Sequence, residues 1–97
     1  MDSLKQKMWD FHRKNPHVMQ LVEKYTFEAI RKGRKHYSIN SIFERIRWHE
    51  DIETGNEDFK LSNNHRAYYA RYFHYKHPEY DGFFKTKQTK GEWYEYR

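Results

Sequence analysis

The sequence contains no cysteine. That excludes a disulfide framework, a thiol nucleophile and a zinc site ligated by sulfur. Such a chain suits a reducing compartment. Long apolar runs are missing too. Nothing approaches the roughly 18 residues that a membrane span requires, so no membrane partner is expected. The opening "MDSLKQKMWDFHRKNP" carries charges throughout and has no apolar centre, so no signal peptide is expected. There is no internal repeat and no flexible linker. The chain of 97 residues suffices for one small domain with one core, residues 1–97.

What is abundant is positive charge and aromatic rings. The formal net charge is +5, and 20% of residues are Phe, Trp or Tyr. A mean hydropathy of −1.35 would by itself suggest disorder. The rings argue against that, because each buries a large area and a small core needs few of them. Tyrosine, histidine and the long basic side chains can also bury part of their length. The expected product is a small folded domain with a basic surface. Such a surface favours an anionic partner, nucleic acid first and an acidic protein face second.

Ser3 opens a first helix, with Gln6 as its capping-box partner. Leu4, Met8 and Phe11 lie on one stripe of it. Pro16 ends it near Asn15, which then caps a second helix with Pro16 in its first position. Val18, Leu21, Val22, Tyr25 and Ala29 form one face of the second helix. Phe27 and Ile30 lie off that face and imply contacts on two sides. Gly33 closes it. "RKHYS" has room for a very short strand. Ser38 caps a third helix in which Ile39, Ile42, Phe43 and Ile46 repeat at helical spacing. Ser41 with Glu44 offers a second start for it.

The acidic stretch "EDIETGNED" reads as a solvated loop around Gly55. "FKLS" has the look of an extended piece. Ser62 or Asn63 caps a fourth helix, which Pro78 ends. "FFKTKQTKGEWYEYR" partly alternates around Lys90-Gly91 and suggests a two-stranded hairpin.

Helices followed by a hairpin give a mainly α chain with the order of a winged helix-turn-helix domain. It has an extra N-terminal helix over residues 1–15 and a core over 16–97. The supporting helix would be residues 38–51, the recognition helix 62–77 and the hairpin wing 83–96. The connection over 52–61 is longer than the tight turn of a simple helix-turn-helix.

Residues 37 to about 87 resemble a group of small phage and prophage proteins of no assigned activity. The distinctive pieces are "YSINSIFERIRW", "NNHRAYYARYF" and "HPEYDGFF". The resemblance implies a phage or prophage origin, and with it the cytoplasm of a bacterial host. It assigns no functional residues.

The candidate site therefore comes from the residues themselves. "SNNHRAYYARYFHYKHP" is basic, has no acid and is crowded with tyrosine. Ala67, Ala70 and His74 form a line suited to close packing. Tyr69, Tyr72 and Phe73 read as core, with Tyr68, Arg71 and Tyr75 outside that stripe. Asn63, Asn64, His65 and Arg66 stand at the helix start, where a recognition helix reaches base edges. Lys60, Arg71 and Lys76 are candidates for phosphate contacts. Lys85, Lys87 and Lys90 on the wing could follow a phosphate backbone, or protect an edge strand. Asn63 and Asn64 also serve simply as capping residues.

His74 and His77, with His49, Glu50 and Asp51, raise a zinc site. An i, i+3 histidine pair is weak ground in a chain with seven histidines. No metal or other cofactor is expected, and no nucleophile, base and orienting group stand together. Trp48 is expected to pack on the fourth helix or the hairpin, and Trp9 to anchor a homodimer. The leading expectation is a non-enzymatic, phage-type protein that binds double-stranded DNA, as a regulator or accessory factor. The alternative is a small phage protein that binds a host protein through exposed aromatics.

Overall fold

The computed structural model describes residues 3–85. Helix α1 runs Ser3–Lys14 and α2 runs Pro16–Arg31. Asn15 joins them. Its side chain does not cap α2; Nδ2 instead donates to the Phe11 carbonyl at 3.0 Å and closes α1 from behind. Gln6 reaches forward, donating to Asp10 at 3.0 Å. Helix α2 ends in a Schellman motif. Gly33 N–H donates to the Ile30 carbonyl at 2.9 Å and Arg34 N–H to the Ala29 carbonyl at 3.1 Å. The motif needs a left-handed residue, and Gly33 supplies it with φ +92°.

Helix α3 runs Ile39–Trp48. Ser38 is its cap, its Oγ accepting from Asn40 N–H at 3.1 Å; the alternative start at Ser41 is not used. Ile42, Phe43 and Ile46 are the buried stripe that the spacing predicted. The helix then widens into a π turn, His49–Glu53. Thr54 closes this turn, its N–H on the His49 carbonyl at 2.9 Å and its hydroxyl on the Glu50 carbonyl at 2.7 Å. The acidic stretch is thus partly helical, and Glu50 is buried rather than solvated. His17 Nε2 lies 2.6 Å from its carboxylate.

The long connection that follows is pinned by Arg47. Its guanidinium donates to the Leu61 carbonyl at 2.6 Å and to Asn63 Oδ1 at 2.8 Å. Leu61 is buried and Phe59 rests on Phe11. A 3-10 turn, Asn63–His65, capped by Ser62, leads into α4, Arg66–Lys76. Pro78 follows the end of α4 and starts a short 3-10 turn, Pro78–Tyr80.

Helix α4 is the centre of the molecule. Tyr68, Tyr69, Ala70, Tyr72 and Phe73 are all buried. His12 of α1 meets the Tyr72 ring edge-on at 5.2 Å, Phe27 of α2 lies 5.4 Å from Phe73, and Phe43 of α3 lies 6.0 Å from Tyr69. Three helices therefore cover one helix with interlocking rings, an arrangement that suits the edge-to-face preference of aromatics. Phe27 makes its contact from the second face of α2. The fit of Ala67 is different from that predicted: only Ala70 of the small-residue line is buried, and Ala67 is exposed. Tyr68, placed outside the core by spacing alone, is 1% exposed.

A winged helix-turn-helix is not what the chain builds. Among the described residues there is no strand, neither at 34–38 nor at 59–62, and so no sheet. The start of the expected hairpin belongs to the core instead. Phe83 and Phe84 are buried, with Phe84 5.7 Å from Phe73, and Phe84 N–H donates to His74 Nε2 at 3.1 Å. Residues 86–96 of that hairpin lie outside the described residues. The physical reason is ring burial. Five buried residues on α4 commit it to the core, where a recognition helix would leave a long face open. Mainly α is the part of the expectation that stands.

Candidate functional site

The predicted nucleic-acid residues divide sharply by position. His65 is a core residue: its ring stacks on Phe11 at 4.7 Å, and burial pushes its imidazole below the ordinary value. Asn63 Oδ1 accepts from Arg47. Arg66 donates from Nε to the Asn63 carbonyl at 2.9 Å and from Nη1 to Asn40 Oδ1 at 2.8 Å. The Arg66–Asn40 contact locks the start of α4 to the start of α3, and burial closes His65 to base edges. Lys76 is paired with Glu23 at 3.1 Å. Arg71 is half-buried and already engaged. Lys60 and Asn64 are exposed. Lys87 and Lys90 lie outside the described residues.

The histidines raised for zinc each have other partners. His77 Nε2 is 2.7 Å from Glu23, His49 Nδ1 is 2.8 Å from Glu53, and His74 accepts the Phe84 amide. His74 and His77 thus point to different groups. Among the described residues no three ligand types gather for a metal.

What the fold does bring together is the segment between α2 and α3. In "RKGRKH", Arg31, Lys32, Arg34, Lys35 and His36 are all exposed. None of them forms an ion pair with a described carboxylate. Arg31 also complements the negative end of the α2 dipole; Lys35 and His36 lie beyond that end.

One predicted cation joins this segment from far along the chain. Lys85 stands beside His36, Tyr37, Ser38 and Ile39 around a small hollow of about 350 Å³. The backbone holds it there, with Tyr37 N–H on the Phe83 carbonyl at 3.3 Å.

On the other side of Tyr37 is a shallow groove of about 730 Å³. Arg31, Lys32 and Arg34 line it, with Tyr25, Tyr37 and Arg45. Glu28 is its one carboxylate. Arg45 is held in place by a two-pronged pair with Glu53, both contacts 3.2 Å, and by the Tyr25 ring 4.6 Å beneath it. The result is a basic pole at the N-terminal end of α3. It can hold consecutive anionic groups such as phosphates, with Tyr37, 41% exposed, between its two hollows. The charge run at 31–36 was visible in the sequence as a signal of this kind.

Among the described residues no helix is long and apolar enough to cross a membrane. Comparison with protein-family models, with curated proteins and with solved structures gives no match.

Proposed function

We propose that this is a non-enzymatic DNA-binding protein that grips the phosphate backbone of duplex DNA with its basic pole. It would act in the bacterial cytoplasm, as the phage resemblance implies, as a regulator or accessory factor. The observation that carries this reading is the set of exposed cations at 31–35, with no carboxylate paired to them among the described residues. Lys85 extends that set. Phosphate contacts supply affinity and register but little sequence information. Of the groups first expected to read bases, His65 is buried against Phe11, and Asn63 and Arg66 are tied to Arg47 and Asn40. Binding should therefore be strong at low salt and nearly indifferent to sequence.

Fluorescence anisotropy of a labelled duplex across a salt series tests this. Affinity should fall steeply with salt, with a slope of about −0.9 per phosphate neutralised. Combining Arg31→Ala, Lys32→Ala and Arg34→Ala should weaken binding about tenfold or more and flatten the slope by about one per lost contact. Lys7→Ala with Lys14→Ala removes charge elsewhere and should change little. If no duplex binds at low salt, or if the two sets of substitutions act alike, this function is wrong.

A further inference from the structure

The other end of α3 has the opposite character. Trp48 is 56% exposed and Ile52 is 57% exposed. They are four residues apart on a continuous helical run, so their side chains are neighbours on one surface. Trp48 is therefore not packed into the fourth helix as one expectation had it, and most of the hairpin named as the alternative lies outside the described residues.

The charge around the pair is almost wholly negative. Residues 44–58 contain six carboxylates and two arginines. Both arginines are occupied, Arg45 by Glu53 and Arg47 by Glu44. Asp51, Glu57 and Asp58 are exposed and have no partner among the described residues. The chain turns back at Gly55, and Asn56 N–H donates to the Glu50 carbonyl at 2.7 Å. That return keeps Glu57 and Asp58 at the same end as Trp48. The C-terminal end of the α3 dipole adds further negative potential there. The ten residues of α3 set about 15 Å of helix between Trp48 and the cations at 31–36.

We propose that Trp48 and Ile52 form a docking surface for a cationic, apolar-bearing segment of a partner protein. The charge pattern selects this occupant. A two-fold contact with a second copy would bring Asp51 and its neighbours against themselves. A head-to-tail contact would occupy the basic pole. The exposed apolar area is on the order of 200 Å², well below the roughly 800 Å² per side of a stable protein interface. An indole anchor with Glu44 four residues before it and Asp51 three after it instead matches a short basic segment, with tryptophan as the dominant contact.

A labelled amphipathic peptide of leucine and lysine tests this, with a leucine–glutamate peptide as its counterpart. The full-length protein should bind the cationic peptide at least about tenfold more tightly than the anionic one. Trp48→Ser with Ile52→Ser should remove about tenfold or more of that affinity, and so should Asp51→Lys with Glu57→Lys. Both pairs are exposed, and circular dichroism should show unchanged helix. The Arg31, Lys32 and Arg34 alanine variant should bind the peptide as the wild type does, which keeps this test separate from DNA binding. Equal affinity for both peptides overturns the proposal, as does indifference to the Trp48 and Ile52 changes. A wild-type dimer that Trp48→Ser converts to monomer would assign the surface to a second copy and overturn it equally.

Discussion

At the scale of single residues, the core includes tyrosines that carry a polar atom into it. Tyr69 is fully buried, and its hydroxyl has no hydrogen-bond partner among the described residues. Burial raises its phenol far above the ordinary value, with Tyr68 and Tyr72 adding to the shift. A buried hydroxyl without a partner costs about 1–3 kcal/mol, while a ring in the same place retains its packing. Tyr69→Phe should therefore leave stability unchanged or raise it by about 1 kcal/mol in urea unfolding. A loss of more than about 1 kcal/mol would mean that the hydroxyl has a stabilising role. The sequence showed a tyrosine at a core spacing. It did not show that the hydroxyl would be enclosed, because that depends on α1 and α3 closing over the ring.

At the scale of elements, local signals acted where their partner was a few residues away. Ser38 caps α3 through Asn40, and Gly33 closes α2 through Ile30 and Ala29. Ser38→Ala removes one accepted hydrogen bond at the start of a ten-residue helix. It should cost about 0.5–2 kcal/mol. The same change moves the junction of 31–37 with α3, so hydrogen exchange should rise first at Asn40 and Ser41. Unchanged stability would show that the Ser38 backbone carbonyl, which Ile42 N–H reaches at 3.3 Å, is enough to hold the turn. Asn15 and Gln6 are the contrary cases. Both had capping side chains by type, but each has an intrahelical partner four residues away. A capping residue read from sequence names a capability, and the competing acceptor decides its use.

At the scale of the whole molecule, three imidazoles respond together to acid. His12, His65 and His74 are each held below the ordinary value of 6.5 by burial. Lys76 adds to the effect at His12, and Asp81 opposes it at His74. Their folded state prefers the neutral ring, whereas the unfolded chain takes up protons near 6.5. Stability contributed this way is complete above about pH 6.5 and is lost as pH falls below it. Glu53 behaves likewise at lower pH. His49 and then Arg45 hold its carboxyl below 4.5, so its contribution disappears as pH falls through that range. The thermal midpoint should drop by several degrees between about pH 7.5 and 5.5, at roughly 4–8 °C per kcal/mol for a domain of this size. A midpoint that holds or climbs over that interval would contradict the burial of these rings.

The sequence by itself determined the four α-helices, the cap at Ser38, the stop at Gly33 and the buried stripe of α3. Each follows from chemistry within one turn of the chain. It also displayed the two charge runs, at 31–36 and 50–58. Only the tertiary structure decided what α4 is for. Its rings lie on several sides, so no single stripe declares a buried face, and its basic residues resembled a reading surface. Three neighbouring helices supply the aromatic partners that turn those rings inward, and Glu23, Asn40 and Arg47 engage its polar groups. Contacts between residues tens of positions apart carry that information. They also set the two charge runs at opposite ends of α3, where each can meet its own partner.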